Sequence, residues 1–187
     1  ISYFKNEEKI ITEGETSAEI HSKYNFKSKD VIFLLNPMEL VSNEKTIIID
    51  KFNLYQVERF RYLINDEELI GEKILINTKY KLPTSDKFYF KNAIVNFKKQ
   101  TFYGTETNIK VRKDIFDNSD NDPRIVGVSA ESKNNKTVIN KGVFTSCKQN
   151  DNCTPWSIKA KEIIHDNNKN EITYKNAVLK IYDFPVL

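Results

Sequence analysis

The sequence predicts an all-β, antiparallel fold, on three observations. Ile, Val, Thr, Phe and Tyr are abundant while Ala is scarce, which favours strand over helix. Apolar residues alternate at period two along most of the chain. The separators are polar and rich in Asn, Asp and Lys, as in Asp117–Pro123, Asn134-Asn135 and Asp166–Asn170. Asn and Asp tolerate left-handed turn conformations, so they replace glycine in a chain that has only 5 Gly. Strands of this length joined by such turns suggest a sandwich, a barrel or a related architecture.

Taken in order, the chain opens on a stretch from Ser2 to Ile11 that reads as an exposed edge strand. Its candidate partner-facing residues are Ser2, Phe4 and Ile10. Residues 50–72 are ambiguous. Leu54, Val57, Arg61 and Ile64 fit helical spacing about as well as alternation, and the segment is read as strand. Ile74, Ile76, Thr78 and Tyr80 share one strand face. Phe88 and Phe90 do the same, and Ala93, Val95 and Phe97 continue after a one-residue phase shift. Ile109 and Val111 alternate with Asn108 and Lys110, and Val126, Val128 and Ala130 with Gly127 and Ser129. Trp156, Ile158 and Ala160, then Ala177, Leu179 and Ile181, form the last alternating sets.

Phe90-Lys-Asn-Ala-Ile-Val95 echoes Tyr174-Lys-Asn-Ala-Val-Leu179 in equivalent strand contexts. A stacked β repeat would place such units along one continuous groove or core.

The chain has 187 residues with 29 Lys+Arg against 26 Asp+Glu, so a dedicated nucleic-acid binder, which would show a basic excess or stripe, is not expected. With 39 % hydrophobic residues it can bury a core, and its length fits a single domain, 1–187. No apolar run reaches the 18 or so residues of a spanning helix. No signal peptide is expected at Ile1, and the abrupt ends suggest a piece of something larger.

Local motifs support no enzyme. There is no Gly-x-Ser-x-Gly, Walker-type loop or dinucleotide fingerprint, and no cofactor is expected. His165-Asp166 resembles an acid–base pair, but neighbours on a strand face opposite sides. Both His21 and His165 are therefore read as surface or turn residues. Cys147 and Cys153 lack the companions a zinc site needs, so no metal is expected. A local Cys147–Cys153 disulfide, a long-range or interchain one, and free thiols all remain open from spacing alone. The aromatic and aliphatic residues Phe88, Phe90, Val95, Phe97, Ile109, Val111, Trp156, Ile158 and Leu179 are candidates to line either an ordinary core or an open groove suited to acyl chains.

The C-terminal third carries a resemblance. Asn121-Asp-Pro-Arg124, Asn140-Lys-Gly-Val-Phe-Thr-Ser-Cys147 and Cys153-Thr-Pro-Trp-Ser-Ile-Lys-Ala160 occur in order. Ile163-Ile-His-Asp166, Tyr174-Lys-Asn-Ala177 and Phe184-Pro-Val-Leu187 follow. The set resembles the N-terminal periplasmic, OstA-like domain of the LptD lipopolysaccharide-assembly family. Residues 1 to about 115 match only in style, through units such as Ile11-Thr-Glu-Gly14.

The resemblance implies a β-jellyroll folded like a taco, with lipopolysaccharide acyl chains riding in an apolar interior groove. It implies that the domain takes lipid from a periplasmic LptA bridge by strand addition. It also implies transfer to a C-terminal barrel, absent from this sequence, that is plugged by the lipoprotein LptE, at the periplasmic face of the outer membrane. The family places a Cys at the Thr-Ser-Cys position, here Cys147, in a disulfide with the barrel, and Cys153 departs from that single-Cys pattern. Two other classes compete: a structural or adhesive β-sandwich with a sealed core, and a periplasmic hydrolase using His165 and Asp166.

Overall fold

The computed structural model describes residues 1–82, 85–113, 121–148 and 155–186. Nine short strands come first and a tenth closes the described chain. They are β1 (Ser2–Phe4), β2 (Lys9–Ile11), β3 (Glu15–Ile20), β4 (Tyr24–Lys29), β5 (Ile32–Leu35), β6 (Met38–Ser42), β7 (Thr46–Ile49), β8 (Leu54–Val57), β9 (Arg59–Leu63) and, at the far end, β17 (Phe184–Pro185). Seven long strands lie between: β10 (Glu68–Asn77), β11 (Lys87–Asn96), β12 (Thr101–Lys110), β13 (Arg124–Lys133), β14 (Lys136–Thr145), β15 (Trp156–Asp166) and β16 (Glu171–Ile181). Every strand pairing is antiparallel, as the sequence predicts, and residues 50–72 are strands and turns rather than a helix.

Among the described residues all seventeen strands hydrogen-bond into one sheet that folds over on itself. In β10, residues Glu68–Glu72 pair with β9 while Leu75–Asn77 pair with β8. Each long strand thus contributes one half to each of two leaves. The first leaf runs β1, β2, β5, β6, β9 and on through the halves of β10–β16 that contain Leu69, Val95, Ile139 and Ile163. The second runs β3, β4, β7, β8 and on through the halves that contain Ile76, Phe88, Ile109 and Phe144. The leaves are continuous along a crease, and their other long margins meet as a lip formed by turns.

The crease has a local cause. Lys73, Glu106, Lys141 and Asn176, in the middle of β10, β12, β14 and β16, have φ of 48°, 49°, 49° and 50°. A non-glycine residue in the left-handed region bends the strand and shifts its inward phase by one. The partner strands bend with it in unchanged register: Glu72 pairs with Asn92 and Ile74 with Phe90, while Lys73 and Lys91 between them are unpaired in the ladder. This is the phase shift legible between Phe90 and Ala93. The crease also needs small residues, because two leaves approach closely there. Gly71, Ala93, Gly104 and Ala130 are opposed in series, as are Gly142, Ala160 and Ala177. A Cβ at Gly104 would overlap the Phe90 ring. The two echoing hexapeptides both straddle this bend, with Phe90 and Tyr174 before it and Ala93 and Ala177 after it.

One inward set differs from expectation. Ala130 is fully buried, but Val126 and Val128 are 50 % and 58 % exposed and point outward. The bend between Gly127 and Ser129 changes the phase, so Ile125 rather than Val126 faces in.

Candidate functional site

The space between the leaves is filled by side chains that alternate inward. Phe88, Phe90, Val95, Ile109 and Val111 are buried, with Ile125, Ile139 and Ile163 beside them. Phe88 and Phe102 meet edge to face at 5.1 Å, and Phe90 lies 5.2 Å from Phe102. The middle of the interior is closed in this structure. Its two ends are not. At the N-terminal end a cavity of about 230 Å³ opens between the leaves, lined mainly by Ile10, Ala18, Phe26, Val31, Phe33 and Leu40. At the C-terminal end Trp156, Ile158, Ile172, Tyr174 and Leu179 are only half-buried. Trp156 and Tyr174 both pack on Phe144, at 5.8 and 5.7 Å.

Both ends finish in strands with an unpaired margin. Among the described residues β1 pairs only with β2, and β3 only with β4. Most of β16 pairs only with β15, because β17 covers Lys180 and Ile181 alone. Ser2 and Phe4 lie on an edge strand, with Phe4 40 % exposed. Ile10 does not. It sits on β2, between Tyr3 of β1 and Phe33 of β5, because a 3-10 turn at Lys5–Glu7 folds the first segment back on itself.

The lip is closed by side chains. Phe97, expected as a groove residue, follows β11 and stacks on Tyr24 at 4.8 Å and packs on Tyr55 at 4.9 Å, both from the opposite leaf. Tyr24 Oη donates to Glu67 Oε2 at 3.1 Å across the lip. Burial, reinforced by that carboxylate, pushes its phenol up to about 12. His21 Nε2 donates to the Ile64 carbonyl at 3.1 Å, again between leaves. Further along, Arg112 Nη2 donates to Asn170 Oδ1. Arg112 belongs to the second leaf, where its backbone N–H is held by Asp86 Oδ1 at 2.8 Å. Asn170 lies in the β15–β16 turn of the first.

His165 is where the structure departs furthest from expectation. It is 0 % exposed, inside the fold, whereas Asp166 points outward to Lys136 at 3.2 Å. Neither His165 nitrogen has a hydrogen-bond partner. Burial holds the imidazole pKa below its usual value, with Asp86, Arg112 and Asp166 as the charges that act on it. Its placement was available in the pattern: Ile163 and His165 share the inward face once the crease has shifted the phase of β15. Acid–base cooperation between His165 and Asp166 has no geometric support, since a strand separates their faces as predicted.

Cys147 is half-buried, with its Sγ 3.7 Å from the Trp156 carbonyl oxygen. Cys153 lies outside the described residues, and so does any pairing with it. Among the described residues no three His, Cys, Asp or Glu side chains gather as a metal ion requires. The latch residues His21, Tyr24, Glu67, Arg112 and Asn170 carry no sequence signal, because each acts with a partner 43 or 58 positions away.

Compared with known proteins, the chain matches no family model and no curated sequence.

Proposed function

We propose that this domain binds and conducts lipopolysaccharide, holding acyl chains between the two leaves and catalysing no reaction. The observation that carries the reading is an apolar interior that runs from the N-terminal cavity to the half-open C-terminal mouth. Its unpaired strands at both ends suit joining to further β-structure. Burial of acyl chain would contribute roughly 0.8 kcal/mol per methylene, without any single tight site. On this reading the domain works at the periplasmic face of the outer membrane. It takes lipid from an LptA-type jellyroll bridge added at β1, and passes it to a C-terminal barrel plugged by LptE. Cys147, and Cys153 with it, would then be disulfide-bonded, locally or to the barrel.

The sealed middle favours a second reading, a structural or adhesive sandwich whose aromatics only fill a core. A photoactivatable residue separates the two. At Ile158 it should capture lipopolysaccharide, and at the outward Val126 it should not. No capture at Ile158, or equal capture at both, would favour the sandwich.

A further inference from the structure

The geometry points to a binding site for a neutral oligosaccharide on the outer face of the first leaf, beside the crease. The site lies outside the interior, and the inference does not rest on the conduit reading.

A cleft of about 530 Å³ opens here, a size that suits a small ligand. Adjacent strands β9, β10, β11 and β12 build it from two parallel rows of outward residues. Arg61, Ile70, Ile94 and Tyr103 lie in register and form one row. Arg59, Glu72, Asn92 and Thr105 form the other, nearer the crease. Gly71 and Ala93, between the rows, line the floor. Strand spacing makes the site about 14 Å long, and the rows stand about 7 Å apart.

The rows differ in chemistry. Ile94 and Tyr103 adjoin and are 41 % and 48 % exposed, an apolar platform open to solvent. Across from them, the Asn92 and Thr105 side chains make no hydrogen bond among the described residues. The charges around the cleft are paired. Glu39, 3 % exposed, accepts from Arg61 Nε at 2.6 Å and Nη2 at 2.5 Å, so a buried carboxylate fixes this guanidinium in place. Arg59 pairs with Glu72, and at the bend Lys73 pairs with Glu58 and Lys91 with Glu106.

These features select the occupant. A phosphate or sulfate would have to compete with a carboxylate for every cation, so an anion is disfavoured. Strand addition is blocked, because β9 to β12 each have a neighbour on both sides. A patch of about 14 by 7 Å is far below the roughly 800 Å² a side of a stable protein interface. A neutral sugar matches both rows. Its apolar C–H face lies on Tyr103 and Ile94, and its hydroxyl rim meets the amide of Asn92, the hydroxyl of Thr105 and the carboxylate of Glu72.

Titration of the full chain with cellotriose, maltotriose and tri-N-acetylchitotriose, followed by amide NMR shifts, tests this. At least one sugar should bind with a Kd of about 1 mM or tighter, with shifts centred on residues 92–94 and 103–105. Tyr103→Ala should weaken that binding about tenfold, and Asn92→Ala several-fold as an independent measurement. Val126→Ala, at an outward position elsewhere on the sheet, should leave it unchanged. No binding of any of the sugars, or binding that survives both Tyr103→Ala and Asn92→Ala, would overturn the site. Phosphatidylglycerol vesicles that bind through Tyr103 in place of sugar would also overturn it, making the cleft a contact for an anionic lipid surface. Capture of lipopolysaccharide at Ile158 should be the same in Tyr103→Ala as in the parent, so the failure of either reading leaves the other standing.

Discussion

Replacing His165 with Leu should stabilise the protein at neutral pH and flatten its response to acid. The imidazole is 0 % exposed and both ring nitrogens lack partners. Each unsatisfied buried polar group costs about 1–3 kcal/mol. A leucine of similar volume removes both, at an expense of about 1 kcal/mol for imperfect shape. The net gain should be about 2 kcal/mol, or roughly 4–8 °C in Tm for a chain of this size. The acid arm follows from linkage. Burial holds the folded-state pKa below the unfolded value of about 6.5. As pH falls below that value the unfolded chain takes up a proton that the folded one refuses, so stability drops until the folded pKa is passed. His165 alone contributes a slope of up to about 1.4 kcal/mol per pH unit in that window. Urea denaturation at pH 7.5 and at stepped pH from 6.5 downward reads both effects. A His165→Leu protein that is less stable at pH 7.5, or that keeps the parent's acid slope, would refute the orphaned-imidazole reasoning.

The lip seal and the crease make their own predictions. Phe97→Ala removes the ring that stacks on Tyr24 and Tyr55, so the denaturation midpoint should fall by the equivalent of about 3–5 kcal/mol, and a loss below about 1 kcal/mol would mean the lip is not sealed there. Gly104→Ala should cost about 1–3 kcal/mol through overlap with Phe90, and Phe90→Leu in the same chain should recover part of it, giving a measurable coupling in a double-mutant cycle. Tyr3→Pro, on the edge strand β1, should leave thermal unfolding within about 1 kcal/mol of the parent, whereas Ile10→Pro, on β2 between two strands, should cost about 3 kcal/mol or more.

How far the sequence reveals this fold depends on the range of each interaction. Alternation is local, so Phe88, Phe90, Ile109 and Ala160 were readable as inward-facing, and the all-β class with them. The phase shift at the crease is readable in β11, where aromatic and aliphatic residues on both sides expose the step from Phe90 to Ala93. It was not readable in β13, where Val126 and Val128 are apolar yet face outward, so hydrophobicity alone assigns the wrong phase. Ile10 was misplaced for a different reason. Edge status depends on which strand lies alongside, and β5 reaches β2 only after the β3–β4 hairpin has returned Val31 to Thr12. The residues that close the lip are the least legible, since Arg112 and Asn170 are polar residues in turns until the leaves fold together.

The crease and the lip are held by different means. Bending is fixed by left-handed residues within strands and by opposed small residues, features built into continuous backbone that cannot be released without breaking ladders. Closure is fixed by a few side-chain contacts and one aromatic cluster, each of which solvent or a ligand oxygen can replace. A molecule selected only for rigidity would gain from a paired or apolar residue at position 165, as the leucine substitution is expected to demonstrate. The unpartnered imidazole lies instead between the leaves, with Asp86 and Arg112 of the second leaf among the charges acting on it. A buried polar group without a partner costs stability, so this interior is not packed for stability alone.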